Sequence, residues 1–134
     1  MKDTLHANGT LGRENYLMEI KTTKHTIMVD EPESIGGSDQ YPNPVEYVLA
    51  ALASCTAITI KMYADNKGWD VGKINVDVKM KDVISSGKPI KTIVKAVQFE
   101  NPLEDEQIER LLTIGSRCPV SKLLAQPVNM EFEQ

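Results

Sequence analysis

A chain of 134 residues, 41% hydrophobic and 25% charged, is long enough to bury a real core and has the composition of an ordinary soluble domain. Its net charge of -4, with no basic run, argues against nucleic acid or an anionic membrane as the main partner. The start, MKDTLHANGT, lacks the apolar run of a secretory signal, and the longest charge-free apolar stretch, Tyr47 to Ile60, is 14 residues, too short to span a bilayer. A reducing cytoplasm is the expected setting, where two cysteines are more often catalytic, redox-active or buried than permanently bridged.

The first forty residues read as strands. ENYLMEI alternates with Tyr16, Met18 and Ile20 on one face, and HTIMVDE with His25, Ile27 and Val29. The polar stretch DEPESIGGSDQYPNP is a loop whose Gly36-Gly37 pair offers a flexible point. Asn43 as N-cap and Pro44 at the first helical position open a helix that runs to Gly68. Its middle has no charged face, so it is expected to lie buried through the centre of the molecule.

KINVDVKM alternates with Ile74, Val76 and Val78 inward, SSGKP turns, and IKTIVKAVQFE returns as the second strand of a hairpin. EDEQIERLLTIGSR begins with acids in its first turn and places Ile108, Leu111 and Leu112 on one face of a second helix. CPVSKLLA reads as a short helix beginning at Cys118-Pro119. VNMEFEQ alternates as a closing edge strand. Strands, helix, strands, helix and strand make a single α+β domain over residues 1–134.

The chemistry points to the two cysteines, Cys55 and Cys118. The thiolate is the nucleophile, and a thiol with the ordinary pKa of about 8.5 is mostly protonated at neutral pH. Cys55 lies in mid-helix, where the macrodipole helps little and burial disfavours the anion, so it needs a nearby cation. Arginine suits because it stays charged, and the arginines are Arg13, Arg110 and Arg117. Cys118 precedes a proline at a helix start, where the positive end of the helix reaches the sulfur. Cys55 is also readable as buried packing, and Cys118 as a plain helix cap. Arg13 is readable as a solvated turn residue, and Glu46 as a first-turn acid that complements the helix dipole. His6, His25, Cys55 and Cys118 have no compact metal-ligand spacing, so neither a metal nor an organic cofactor is expected.

NPVEYVLAALASCTAI followed by CPVSKLL resembles the OsmC/Ohr family, the osmotically inducible and organic hydroperoxide resistance proteins. The resemblance covers the whole chain and implies an intertwined α+β homodimer acting as a thiol-dependent peroxidase. It implies that Cys55 attacks the hydroperoxide and becomes a sulfenic acid, that Cys118 resolves it to a disulfide, and that a dithiol reductant reopens it. It further implies that Arg13 holds the thiolate and that Glu46 holds the arginine. Two positions depart from the peroxidase pattern. Val45 stands where those members carry the arginine-binding glutamate, and Ser121 where a histidine often follows Cys-Pro-Val. These departures place the chain nearer the general OsmC-like branch. The rival expectation is a stress-related or small apolar ligand-binding protein of the same fold with little peroxidase activity. A thiol redox sensor is a weaker third.

Overall fold

The structure is a computed structural model that describes residues 5–133. The chain divides after Val48 into two compact units, 1–48 and 49–134.

In the first unit, β1 (Asn8–Leu11), β2 (Met18–Lys21) and β3 (Thr26–Val29) form an antiparallel sheet in chain order. Ile20 stands opposite both Gly9 and Ile27, and Met18 opposite Val29. The two-residue period half-buries Met18 and Ile20 and leaves Glu19 and Lys21 exposed, as the alternation predicts. The loop that follows is fastened by one carboxylate. Asp30 is 1% exposed and accepts backbone N–H groups of Glu31 at 2.7 Å, Gln40 at 3.2 Å, and Tyr16 and Ser38 at 3.4 Å. The Gly36-Gly37 pair is therefore not a loose hinge. A Cβ on Gly37 would fall 2.0 Å from the Glu31 carbonyl oxygen, so glycine is required by a close, hydrogen-bonded turn.

Helix α1 (Pro44–Lys67) has the predicted limits. Asn43 Oδ1 accepts the Glu46 N–H at 2.9 Å while the Glu46 carboxylate accepts the Asn43 N–H at 3.0 Å, a reciprocal capping box. At the far end Gly68 takes φ +73°, a left-handed stop that glycine adopts without a Cβ clash. By length and composition the 24-residue helix is apolar enough to cross a membrane, which the 14-residue charge-free stretch alone did not predict. The expectation that it is buried on all sides is not met. Only Leu52, Thr56, Ile60 and Ala64, spaced four apart, are buried, whereas Ile58 and Met62 are 53% and 68% exposed. The absence of charge marked an apolar surface, but among the described residues only one stripe of it has a partner.

The second unit packs that stripe. Strands β4 (Ile74–Ser85) and β5 (Lys88–Phe99) pair over their whole length through a two-residue turn. Ser86 and Gly87 both have positive φ there, the hairpin turn whose twist matches the strands. The base of the hairpin half-buries Ile74, Val76 and Val78, while Lys79 to Ser85 are exposed. Helix α2 (Asp105–Gly115) opens on a Glu104/Gln107 capping box, and α3 (Pro119–Leu124) on Cys118. Ile60, Ala64, Val71 and Leu111 form the core, with Tyr63, Trp69, Val97 and Phe99 against them. Leu111 is fully buried, but Leu112, predicted on the same face, is 44% exposed. The two are adjacent and point about 100° apart on a helix, so a narrow interface takes only one.

Two further departures concern strands. β1 was covered only by the general expectation of N-terminal strands, because NGTL has no alternation to mark it. Residues 128–133, expected as an edge strand, form none and are exposed. Alternation supplies a face, but a strand also needs a ladder partner, and these residues have none among those described.

Candidate active site

A close approach of α2 to α1 builds the site in the second unit. A Cβ on Gly115 would lie 2.9 Å from Ile60 Cδ1 and 3.3 Å from Thr56 Cγ2, so the missing side chain lets the end of α2 rest directly on α1. The chain then turns through Ser116 and Arg117, and Cys118 begins α3 with extended backbone, φ -63° and ψ 151°. Cys118 thereby arrives against the α1 stripe, fully buried.

Its sulfur has a full set of polar neighbours. Cys118 Sγ lies 3.0 Å from Ser121 Oγ and 3.6 Å from Thr56 Oγ1, and it accepts the Ser121 N–H at 3.4 Å. Cys55, half-buried and one residue before Thr56, is the neighbouring thiol, and it adds a smaller influence that favours the Cys118 anion. Both thiols are free. Burial pushes the Cys118 pKa up, but the Ser121 hydroxyl and N–H, Thr56 and, least, the neighbouring Cys55 thiol outweigh it and bring it down to about 7. The predicted N-cap position of Cys118 is present, and hydrogen bonding at that cap is the main source of the shift.

Among the described residues of the second unit, a lysine reaches this cluster. Lys95 of β5 is half-buried and donates to Ser121 Oγ at 2.9 Å, Thr56 Oγ1 at 3.1 Å and the Gly115 carbonyl at 3.1 Å. Sequence reasoning passed it over by weighing arginines alone. The signal was present: Lys95 shares the face of Val97 and Phe99, opposite Val78, where the alternation calls for an apolar side chain. A cavity of about 370 Å³ opens on this cluster, lined by Leu52, Ile93, Lys91, Lys95, Ser121 and Leu124 among others.

The other candidates have separate engagements. Arg13 is exposed in the bend between β1 and β2 of the first unit, beside a cavity it lines with Glu14, Glu19 and Met28. Glu46 is exposed, with its carboxylate on the Asn43 amide. Arg110 donates to Tyr63 Oη at 2.9 Å with its guanidinium 5.5 Å from the centre of that ring. Arg117 is exposed.

The OsmC-like protein family matches this sequence over residues 37–133. The chain belongs to the OsmC-like family. The OsmC-like fold is shared, over nearly whole chains, with solved structures of low sequence identity. An OsmC-like protein of Mycoplasma pneumoniae is 19% identical, with 93% of this chain and 89% of that one covered and a TM-score of 0.75. The organic hydroperoxide resistance protein OhrB of Bacillus subtilis is 19% identical, with 90% of each chain covered and a TM-score of 0.60. The organic hydroperoxide resistance protein OsmC of Legionella pneumophila is 20% identical, covering 91% and 89% at a TM-score of 0.65. No curated protein sequence matches the chain. Among the described residues the expected α+β class is the observed one, with two small antiparallel sheets and three α-helices of the OsmC-like type but without the closing edge strand.

Proposed function

We propose that this OsmC-like protein is a cytoplasmic, homodimeric, thiol-dependent peroxidase that reduces organic hydroperoxides, with residues 1–134 as one functional domain. The Cys55 thiolate attacks the peroxide oxygen, the O–O bond breaks, and the leaving alkoxide takes a proton to become the alcohol. Cys55 is left as a sulfenic acid. The Cys118 thiolate attacks that sulfur, hydroxide leaves and is protonated to water, and the disulfide formed is reduced by an external dithiol. Arg13 is assigned to the Cys55 thiolate and the developing alkoxide, with Glu46 as its partner. No metal or organic cofactor takes part.

The observation that carries this reading is the Cys118 sulfur, buried yet poised near neutral pH, with a free Cys55 thiol beside it. A resolving cysteine needs such an anion. Membership of a family with hydroperoxide resistance proteins among its structural neighbours gives coarser support.

A second reading is favoured by Glu46. Its carboxylate serves its own helix start, and Val45 occupies the neighbouring position, so a carboxylate for Arg13 is not in evidence there. On that reading the protein binds a small apolar ligand and reduces peroxide poorly. Stoichiometric cumene hydroperoxide decides between them. The enzyme should lose both thiols far faster than free cysteine, Cys118→Ser should stop at a Cys55 sulfenic acid, and Cys55→Ser should not react. Two unreacted thiols in the unsubstituted protein would sink the peroxidase and leave the ligand-binding reading.

A further inference from the structure

We propose that Lys95 is a positioning residue that acts through the Ser121 and Thr56 hydroxyls to hold Cys118 as the attacking thiolate. Its role in resolution rests on the peroxidase reading, whereas its effect on the Cys118 thiol does not.

An ammonium has three donors and no acceptor, and Lys95 spends all three on Ser121 Oγ, Thr56 Oγ1 and the Gly115 carbonyl. With one lone pair of each hydroxyl taken by the lysine, donation toward sulfur is the favoured direction of the hydrogen bonds. Each hydroxyl oxygen is engaged as an acceptor by the lysine, which leaves its own O–H free to donate, and Cys118 Sγ is the neighbour of both, 3.0 Å from Ser121 and 3.6 Å from Thr56. The Ser121 N–H adds a third donor at 3.4 Å. A sulfur facing three donors is served as an anion, because a thiol proton would compete with them.

Charge accounting agrees. Lys95 is half-buried and makes no ion pair among the described residues, and a charge removed from water is normally paired. A thiolate one hydroxyl away supplies the countercharge. The titratable groups facing Cys118 are Cys55 from α1 and Lys95 from β5. Helix α2 contributes only the Gly115 carbonyl to the lysine, and α3 only Ser121. Lys91, on the same cavity wall, is paired with Asp82 at 3.1 Å.

The test is the pH profile of Cys118 alkylation by iodoacetamide in the reduced full-length protein, read at that residue by peptide mass spectrometry. Lys95→Met should raise the midpoint by about one unit or more, the usual effect of losing a close opposite charge. Lys95→Arg should restore part of it. Ser121→Ala, which keeps the lysine but cuts the shorter relay, should also raise the midpoint, and it carries the test if Lys95→Met does not fold. An unchanged midpoint in folded Lys95→Met or in Ser121→Ala overturns the proposal, whatever the protein does with peroxide. A raised midpoint in a protein that leaves peroxide untouched keeps Lys95 as the thiolate's positioning residue and removes only the peroxidase.

Discussion

At the scale of single residues, Cys118 shows how a buried sulfur can be both packed and reactive. It is fully buried, as a core cysteine would be, yet its neighbours are hydroxyls and an amide rather than methyl groups alone. Its folded pKa of about 7 lies below the ordinary thiol value, so the folded protein holds this proton less tightly than the unfolded chain. The stabilisation it gives is therefore absent below pH 7, grows as pH rises from about 7 to about 9, and is complete above that. The urea midpoint of the reduced protein should rise across this window, and the rise should vanish in Cys118→Ala. Cys118 itself was legible from the sequence, through its proline and its helix-start pattern. Lys95 was legible only to a reader who asked why a lysine falls in step with Val97 and Phe99.

At the scale of elements, three small devices decide the geometry. Asn43 and Glu46 cap α1 reciprocally, and Asn43→Ala should cost about 1 kcal/mol in chemical denaturation. Gly115 lets α2 touch α1. Gly115→Ala should destabilise by about 1–3 kcal/mol through contact with Ile60 and Thr56, and should raise the Cys118 alkylation midpoint by displacing the polar cluster. Asp30 fastens the loop of the first unit. The Glu31 N–H is the main cause of its lowered pKa, burial opposes the shift, and the Gln40, Ser38 and Tyr16 N–H groups add to it. The folded value lies below the ordinary 3.8, so its contribution is complete above that pH and fades as pH falls through the folded value. Amide exchange of Ser38 and Gln40 should quicken relative to the helices on acidification below about pH 4, and Asp30→Asn should show that quickening already at neutral pH.

At the scale of the molecule, the unpartnered apolar surface is the dominant feature. Ile58 and Met62 on α1 are exposed, and so are Ile84 and Ile90 on the far part of the hairpin. Apolar exposure on this scale is what a homodimer would cover. The proposed dimer predicts a sedimentation mass twice the 14.9 kDa of the chain, and Ile58→Glu with Met62→Glu should reduce it to one chain. An unsubstituted protein that sediments as a single chain at micromolar concentration would rule the dimer out.

The sequence by itself determined the elements whose signals are local. The limits of α1 followed from Asn43, Pro44 and Gly68, the hairpin from two alternating runs about a turn, and the start of α3 from Cys118-Pro119, since caps, prolines and periodicity act within a few residues. It also carried the motif pair on which family resemblance rests. Tertiary structure decided what depends on a distant partner. It buried one stripe of α1 instead of its whole circumference, left the alternating residues 128–133 without a ladder, and brought Thr56, Lys95 and Ser121 around one sulfur. These three residues lie on three different elements, and only the close approach at Gly115 and the register of β5 put their polar atoms within hydrogen-bonding distance.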